Sequence, residues 1–467
     1  MIEVGEYMKF IVFGTGIYYQ NLKKYINIDD IVCFADNAPD KQGGFLDGKQ
    51  ILAPEQVDFT QCDYVLVLIM RNTAVMEQLC SLGVEKTRIK SYYDLGEFLD
   101  IDVEVCTNRG GTALSEWTAD GPRQNVLIVS HELTRNGVAV VLMHVAILLK
   151  KMGYHVLMTS LIGGGLEEEL ADYGIDYIPN INICYRSKSF QTAVSKMEFV
   201  LLGTIGLSDV GRSLHPIGVP IMWWMHESND KNFMDFPLPD GKNIHYFAGG
   251  QRVVDYFNKY YPDRKIEKLL YFLPPEPEYE KQKSKDLVVA VIGAINFRKA
   301  QDIFVKAIEM IPENRKKNVR FDLIGTVVEP CIDLDCVLQK EPRIFYLGEM
   351  KQEELKQYFC SIDLLVCPSR DDPMPVVVTQ AMQHGVPCVV SDQVGQMEYI
   401  KNGENGYIFH SENSEELSRI LEHCISCPED LHGVGEKSRQ IYEDYFSEKA
   451  MMDNLSDIIS HILLQEE

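Results

Sequence analysis

The 467-residue sequence reads as an α/β chain of three parallel-sheet units, one small and two large. Three observations carry that reading. Apolar runs alternate with stretches of helical spacing along nearly the whole chain, the pattern of strands joined by crossover helices. Several of the runs, at 64–70, 287–293 and 386–390, are apolar almost without a break, as strands covered on both faces are. Polar stretches bearing Gly or Pro at 101–124 and 274–286 then divide the chain into pieces of ordinary domain size.

Composition narrows the function. Apolar residues make up 46% of the chain, so each unit can bury a core and long disorder is not expected. The balance of 69 acidic against 45 basic residues, a net charge of −24, argues against nucleic acid as the main partner and against a broad basic membrane-docking face. A local basic patch stays open. No basic segment followed by an apolar one opens the sequence. The longest nearly unbroken apolar run, 138–149, is too short to span a bilayer and is interrupted by His144. Twelve scattered cysteines suit a reducing compartment, and the single CxxC, Cys424 and Cys427, lacks a second ligand pair. It reads as two half-buried helix cysteines. These features predict a cytoplasmic protein, with a peripheral place at the inner membrane face left open.

Taken in order, residues 1–100 form the small unit. Strand 8–13 runs into Gly14-Thr15-Gly16 and a helix through Tyr25; strand 31–35 ends at Asp36; 64–70 is a third strand. Gly14 and Gly16 would let a phosphate approach the backbone, and Asp36 stands where a ribose-binding acid could sit. Tyr19, however, occupies the place of the third glycine. The unit resembles Rossmann-like modules joined to sugar-nucleotide and surface-polysaccharide enzymes. A tight strand–helix turn in a docking or self-associating domain accounts for the glycines more simply than a nucleotide site does. Residues 101–124 read as a linker.

The second unit, 125–283, has strands at 126–130, 155–160, 199–202 and 220–225, with helices at 138–152 and 166–173. Gly137 closes the loop after its first strand, leaving an N–H unobstructed by a side chain. Trp223 and Trp224 point to opposite faces of their strand, so at least one belongs to the core. His226 follows that strand's carboxyl end, where it can donate or accept near neutral pH or simply bond to backbone. Neither His131-Glu132 nor His226-Glu227 has the second histidine of a zinc-protease helix.

The third unit runs from 284 to 446. After strand 287–293 come Arg298 and Lys299, then a helix at 303–311. Cations at a helix start oppose its dipole, which a bound anion would explain; otherwise they are a solvated helix start. Strands 320–325 and 343–348 follow, the second leading to Glu349 and Met350. Strand 362–367 then leads to Asp371, Asp372, a two-proline turn and a helix over 375–384, which Gly385 stops. A helix amino terminus in the crevice beyond parallel strands is a ready anion site. Pro373 and Pro375 have no N–H, so Met374, Val376 and Val377 are its backbone donors. Asp372 and Gln380 could face one bound molecule; the plain alternative is a solvated acidic turn. Helices at 414–424, 434–445 and 447–464 complete the chain.

Pro368, Ser369, Ala381, Met382, Gly385, Pro387, Asn405 and Gly406 all stand in register with one long motif. From residue 125 to its end the chain resembles the retaining GT-B-fold glycosyltransferases of family 4 (glycosyl transferases group 1). The resemblance implies a GT-B fold: two Rossmann-like parallel-sheet domains facing a cleft, here preceded by a small Rossmann-like α/β domain. Residues 125–283 would be the acceptor side, 284–446 the donor-binding domain, and 447–467 a terminal helix crossing back to the amino-terminal half. It implies transfer from a nucleoside diphosphate sugar to a glycan, lipid-linked or protein acceptor in surface polysaccharide or glycoconjugate assembly, without metal or cofactor.

By motif position, Asp372 would hold sugar hydroxyls, His226 would touch the sugar from the opposite domain, and Lys299 would bind the diphosphate. Gly137 would border the diphosphate, Arg298 would add a second cation, and Met350 would meet the nucleobase. The backbone of Met374, Val376 and Val377 and the Gln380 side chain would complete the donor site, Gln380 on the ribose. The chain also departs from the family. Asp372 and Gln380 replace two glutamates, Pro373 and Pro375 replace glycines, and Ala294 stands where an arginine is usual. Together these keep open a catalytically silent GT-B subunit that binds a partner enzyme or glycan. Sugar-nucleotide epimerisation fits the motif frame less well.

Overall fold

The computed structural model describes residues 8–69, 73–97, 99–108, 110–117, 124–277, 284–329 and 331–464, which form three sheets in chain order. In the amino-terminal sheet the strands lie in the order Phe45–Leu46, Lys49–Leu52, Ile31–Ala35, Phe10–Phe13, Tyr64–Val67, Ile89–Ser91. All neighbours are parallel except the short 45–52 hairpin. Gly14, at φ +100°, turns the first strand into its helix, and a Cβ there would lie 2.8 Å from Ile69. Asp36 closes this loop. Its Oδ2 accepts from Thr15 N at 3.1 Å, Thr15 Oγ1 at 2.5 Å and Lys41 Nζ at 3.1 Å, and its Oδ1 accepts from Ala38 N at 3.0 Å. Burial alone would raise the carboxyl, but these bonds outweigh it and hold the group below the usual carboxylate range. The acid read as a candidate ribose acceptor is therefore already engaged by its own loop.

The second sheet has nine strands, in the order Ile266–Lys268, Ile244–Ala248, Ile221–Met225, Phe199–Leu202, Asn125–Glu132, His155–Ile162, Asp176–Ile178, Glu104–Thr107, Gly110–Ala113. The last two differ from the sequence reading. Where a linker is expected, Glu104–Thr107 and Gly110–Ala113 form an antiparallel hairpin that extends the sheet through Tyr177 and Cys106. Each strand has four residues and is largely exposed on one side, so neither carries an apolar run long enough to read. The small unit docks on this domain. Arg186 Nη1 meets Glu97 Oε1 at 2.6 Å, and Ser189 N donates to Asp100 Oδ1 at 2.8 Å. Phe10, Val12 and Leu95 share one apolar cluster with Leu127, Phe190 and Trp223.

The third sheet, Ile344–Gly348, Val319–Ile324, Leu287–Ile292, Leu364–Cys367, Cys388–Ser391, Tyr407–Phe409, is parallel throughout. Two passages join the large domains. The first leaves by Pro275–Glu276–Pro277; the expected boundary at 283 lies in 278–283, outside the described residues. The second is the helix Glu448–Leu464, which crosses back so that Met451, Leu455, Ile459 and Ile462 are buried with Val145 and Leu149. Lys151 Nζ meets Glu448 Oε1 there at 2.7 Å. Burying four aliphatic side chains of this size contributes on the order of 6 kcal/mol or more, enough to tie the halves firmly together. None of the described helices is long and apolar enough to cross a membrane.

Candidate functional site

The strand Leu364–Cys367 delivers the acidic turn to the interface between the large domains, where Asp372 is buried. Below the turn, Ser391 Oγ donates to Ser369 O at 2.5 Å, and the backbone pairs Asp372 N with Gln393 O at 3.1 Å and Gly395 N with Asp372 O at 3.0 Å. Gly395 is required here: a Cβ would sit 1.7 Å from Pro373 O. Helix Val376–Gln383 starts at the turn, with Val376 and Val377 in its first, internally unpaired positions. Gln396 Nε2 fixes that end by donating to Pro375 O at 2.8 Å and Thr379 Oγ1 at 3.1 Å. Tyr271 OH lies 2.7 Å from Thr379 Oγ1. Gln380 is buried in the same helix, and its backbone oxygen receives His384 Nδ1 at 2.9 Å.

The cations come from a second loop of the same domain. Phe297–Lys299 is a separate 3₁₀ turn ahead of helix Gln301–Met310, not that helix's first turn. Asn296 Oδ1 caps it through Lys299 N at 2.9 Å, and Ala300 takes a left-handed conformation at φ +57°, at a cost of roughly 1–2 kcal/mol for a residue with a Cβ. The turn aims Lys299 at Asp372: Nζ lies 2.5 Å from Oδ2, and Arg298 Nη1 lies 3.5 Å from the same oxygen. Arg298 Nη1 also donates to Asp371 O at 2.8 Å. Arg370 holds the two loops together. Its guanidinium spans Asp302 and Glu412, donates to Phe297 O at 2.6 Å and stacks 4.0 Å from the Phe297 ring centroid.

Across the interface, strand Ile221–Met225 is wholly buried, and both tryptophans are core: Trp223 Nε1 donates to Thr204 O at 2.8 Å and Trp224 Nε1 to Leu269 O at 2.7 Å. His226 follows. Its ring lies 4.6 Å from that of Trp224 and against the Gly249 backbone, where a Cβ would come within 2.8 Å of Nδ1. Its Nε2 is buried with no hydrogen-bond partner among the described residues, and burial pulls the imidazole down to about 4, so it is neutral at pH 7. Gly250, next to Gly249, meets the acidic turn itself: a Cβ on it would lie 3.0 Å from Met374 Cε and 3.2 Å from Pro373 O.

Among the predicted residues, Asp372, Lys299 and Arg298 form one cluster, Met374 follows in the same turn, and His226 packs against Gly249. Gly137 and Met350 have no described bond to that cluster. Gly137 opens helix Gly137–Lys151 with nothing within 4 Å of a Cβ placed on it, and Asn136 Oδ1 caps that helix through Ala139 N at 2.9 Å. Met350 lies half-buried in the loop after Ile344–Gly348. No group of three or more His, Cys, Asp or Glu among the described residues is placed to hold a metal ion.

Sequence reasoning missed Arg252. It is the second residue of helix Gln251–Tyr260 and bridges the domains: Nη1 donates to Gln393 Oε1 at 2.6 Å and Nη2 to Asp371 Oδ1 at 2.8 Å. A signal was present, since Gly249-Gly250 after the apolar strand Ile244–Ala248 repeats the strand–glycine–helix pattern of the other loops. Val253 and Phe257, four apart and buried, mark the inner face of that helix.

Three stretches match known family models. Residues 275–441 match glycosyl transferases group 1, residues 123–239 match glycosyl-transferase family 4, and residues 6–90 match the C2185-like N-terminal domain. Among curated proteins, the chain is 27% identical over 176 residues to N-acetyl-alpha-D-glucosaminyl L-malate synthase of Bacillus anthracis, covering 37% of this chain and 45% of that one. It is 27% identical over 164 residues to sulfoquinovosyl transferase SQD2 of Arabidopsis thaliana, covering 34% and 31%. The chain thus spans less than half the length of these curated relatives. Among solved structures, HepE of Anabaena in complex with UDP and glucose superposes with a TM-score of 0.59 at 16% identity, covering 73% of this chain and 100% of that one. A glycosyltransferase of Rickettsia africae gives 0.60 at 13%, covering 73% and 99%. The fold is that of the GT-B glycosyltransferases.

Proposed function

We propose, on the premise that residues 123–239 and 275–441 belong to the family 4 and group 1 glycosyltransferases, that the chain is a retaining glycosyltransferase. It moves a sugar from a nucleoside diphosphate sugar to a hydroxyl acceptor, in surface polysaccharide or glycoconjugate assembly at the cytoplasmic side of the cell. The observation that carries this reading is the acidic turn at the interface of the two large domains, with Lys299 Nζ 2.5 Å from Asp372 and the domain that bears His226 packed against Met374.

In this reading the diphosphate lies on Lys299, Arg298 and the amino terminus of helix Val376–Gln383, with the Gly137 N–H at its edge. Asp372 accepts from the sugar hydroxyls, neutral His226 faces the sugar from the opposite domain, Gln380 meets the ribose, and the backbone at Met350 meets the base. The bond from the anomeric carbon to the diphosphate oxygen breaks, and the acceptor oxygen attacks from the same face. The departing diphosphate takes the acceptor's proton. Negative charge grows on that oxygen, so cations and helix N–H groups fixed around it stabilise the transition state more than the ground state. The protein supplies this charge itself, and no metal is required.

The test is nucleoside diphosphate release from UDP-glucose first, then other UDP- and GDP-sugars, with mass detection of the product on candidate acceptors. Release that disappears in Lys299→Ala supports the reading. Silence across the panel with good acceptors overturns it and leaves the catalytically silent subunit.

A further inference from the structure

At the interface of the two large domains two consecutive carboxylates hold three cations, one of which comes from the other domain. Lys299 and Arg298 face Asp372 at 2.5 and 3.5 Å, while Arg252 Nη2 lies 2.8 Å from Asp371 Oδ1. We infer that Arg252 is a diphosphate-binding residue supplied by the amino-terminal half. When the donor enters, its guanidinium exchanges Asp371 for a phosphate oxygen, so that both halves hold the ligand. The inference rests on the nucleotide-sugar reading and deepens it, because it assigns the phosphate chemistry to both domains.

Five features of the site converge on it. Arg252 is enclosed, with about a quarter of its side chain exposed, yet its Nε is buried with no hydrogen-bond partner among the described residues. A guanidinium has five donors in a planar fork that matches two phosphate oxygens, so this one still has a donor to give. It sits in the first turn of the ten-residue helix Gln251–Tyr260, whose own first N–H groups favour an anion at the same place. Gly250 lets Pro373 and Met374 approach that helix start closely, so the cation and the acidic turn already share one wall. The partners Arg252 now uses, Asp371 and Gln393, both belong to loops that flank Asp372, so a small rotation suffices for the exchange. With three cations against two carboxylates, the cluster keeps a net positive charge in a chain of net charge −24. Nucleoside diphosphates are the class that such a cluster selects over monophosphates, because the second phosphate is what reaches the far wall.

The experiment is calorimetric titration of the full chain with UDP and GDP, and with the corresponding monophosphate. The proteins are wild type, Arg252→Ala, Asp371→Asn and the double variant, each checked by thermal melting. Arg252→Ala is expected to weaken diphosphate binding by about 10- to 100-fold and monophosphate binding by less than about threefold. Asp371→Asn, which releases Arg252, is expected to tighten diphosphate binding several-fold, and the double variant loses that gain. Equal losses for both nucleotides, or an unchanged diphosphate affinity, overturn the inference. If Arg252→Ala does not fold, Asp371→Asn decides alone, and no tightening overturns it. A wild-type chain that binds neither nucleotide overturns the nucleotide-sugar reading itself, a different failure.

Discussion

Lys299→Ala removes the ammonium that faces Asp372 at 2.5 Å, and two effects follow. A charge-assisted bond to phosphate contributes about 1.5–3 kcal/mol, so its loss weakens donor binding roughly 10- to 150-fold. The second effect is on the free protein. Asp372 and Lys299 are 9% and 16% exposed in their side chains, so the pair is largely enclosed, and breaking a fully buried pair costs about 3–5 kcal/mol. Arg298 remains 3.5 Å away and takes over part of the charge, so we expect about 1–2 kcal/mol of lost stability, still on the order of a few degrees in melting temperature. The uncompensated carboxylate also repels the diphosphate, which adds to the first effect. Calorimetry with a nucleoside diphosphate, together with thermal melting, separates the two. A folded variant that binds the diphosphate as tightly as wild type would show that Lys299 serves only to neutralise Asp372, and the assigned donor position would be wrong.

Gln380→Glu should raise donor affinity, because an anionic carboxylate accepts from two ribose hydroxyls where an amide accepts through one oxygen; a flat or lower affinity displaces that side chain from the ribose. His226 and His144 are both pulled to about 4 by burial, against 6.5 in an unfolded chain. The unfolded chain therefore gains protons that the folded chain refuses as pH falls through 6.5, so stability is lost between about pH 6.5 and 4 and then levels. Urea melts should show this slope, and His144→Phe should flatten it by about one proton's share. Cys80 is an exposed thiol, whereas burial pushes Cys367 and Cys388 upward, so a maleimide reagent at neutral pH should label Cys80 in the native state and those two only on unfolding.

The elements legible in the sequence are those whose signal is local. Ile31–Ala35 and Phe199–Leu202 read correctly to the residue because each is an unbroken apolar run, and its burial on both faces follows from that run alone. The hairpin 104–113 has no such run; its strands become strands only by pairing with Asp176–Ile178, which the local sequence does not announce. The site divides in the same way. Asp372, Lys299 and the helix at 376–383 could be picked out by motif, but the ion pair between Lys299 and Asp372 joins residues 73 apart and that between Arg252 and Asp371 joins residues 119 apart. Charged residues carry no periodicity that reports their partners, so such pairs emerge only once both loops are placed. Asp36 fits the plainer of its two readings, a tight strand–helix turn: Thr15 and Lys41 already use its oxygens.

These pairings also bear on how, in the proposed reading, an acidic chain would hold an anionic donor. At physiological ionic strength the screening length is about 8 Å, so most of the 69 acidic residues scarcely act at this interface, where the near cations decide the sign. Asp371 and Asp372 hold those cations in place, which in the proposed reading would remove most of the ordering cost from donor binding. The same acids must then be displaced, so each new bond from a cation to phosphate replaces one to a carboxylate, and affinity is the difference between two similar quantities. It follows that removing Asp371 should strengthen donor binding, and that removing one cation should weaken it both by the lost phosphate contact and by the carboxylate left unpaired. In the proposed reading Asp372 stands apart from Asp371, since it would leave its cations for the sugar's hydroxyl groups, so Asp372→Asn should lower turnover where Asp371→Asn raises affinity.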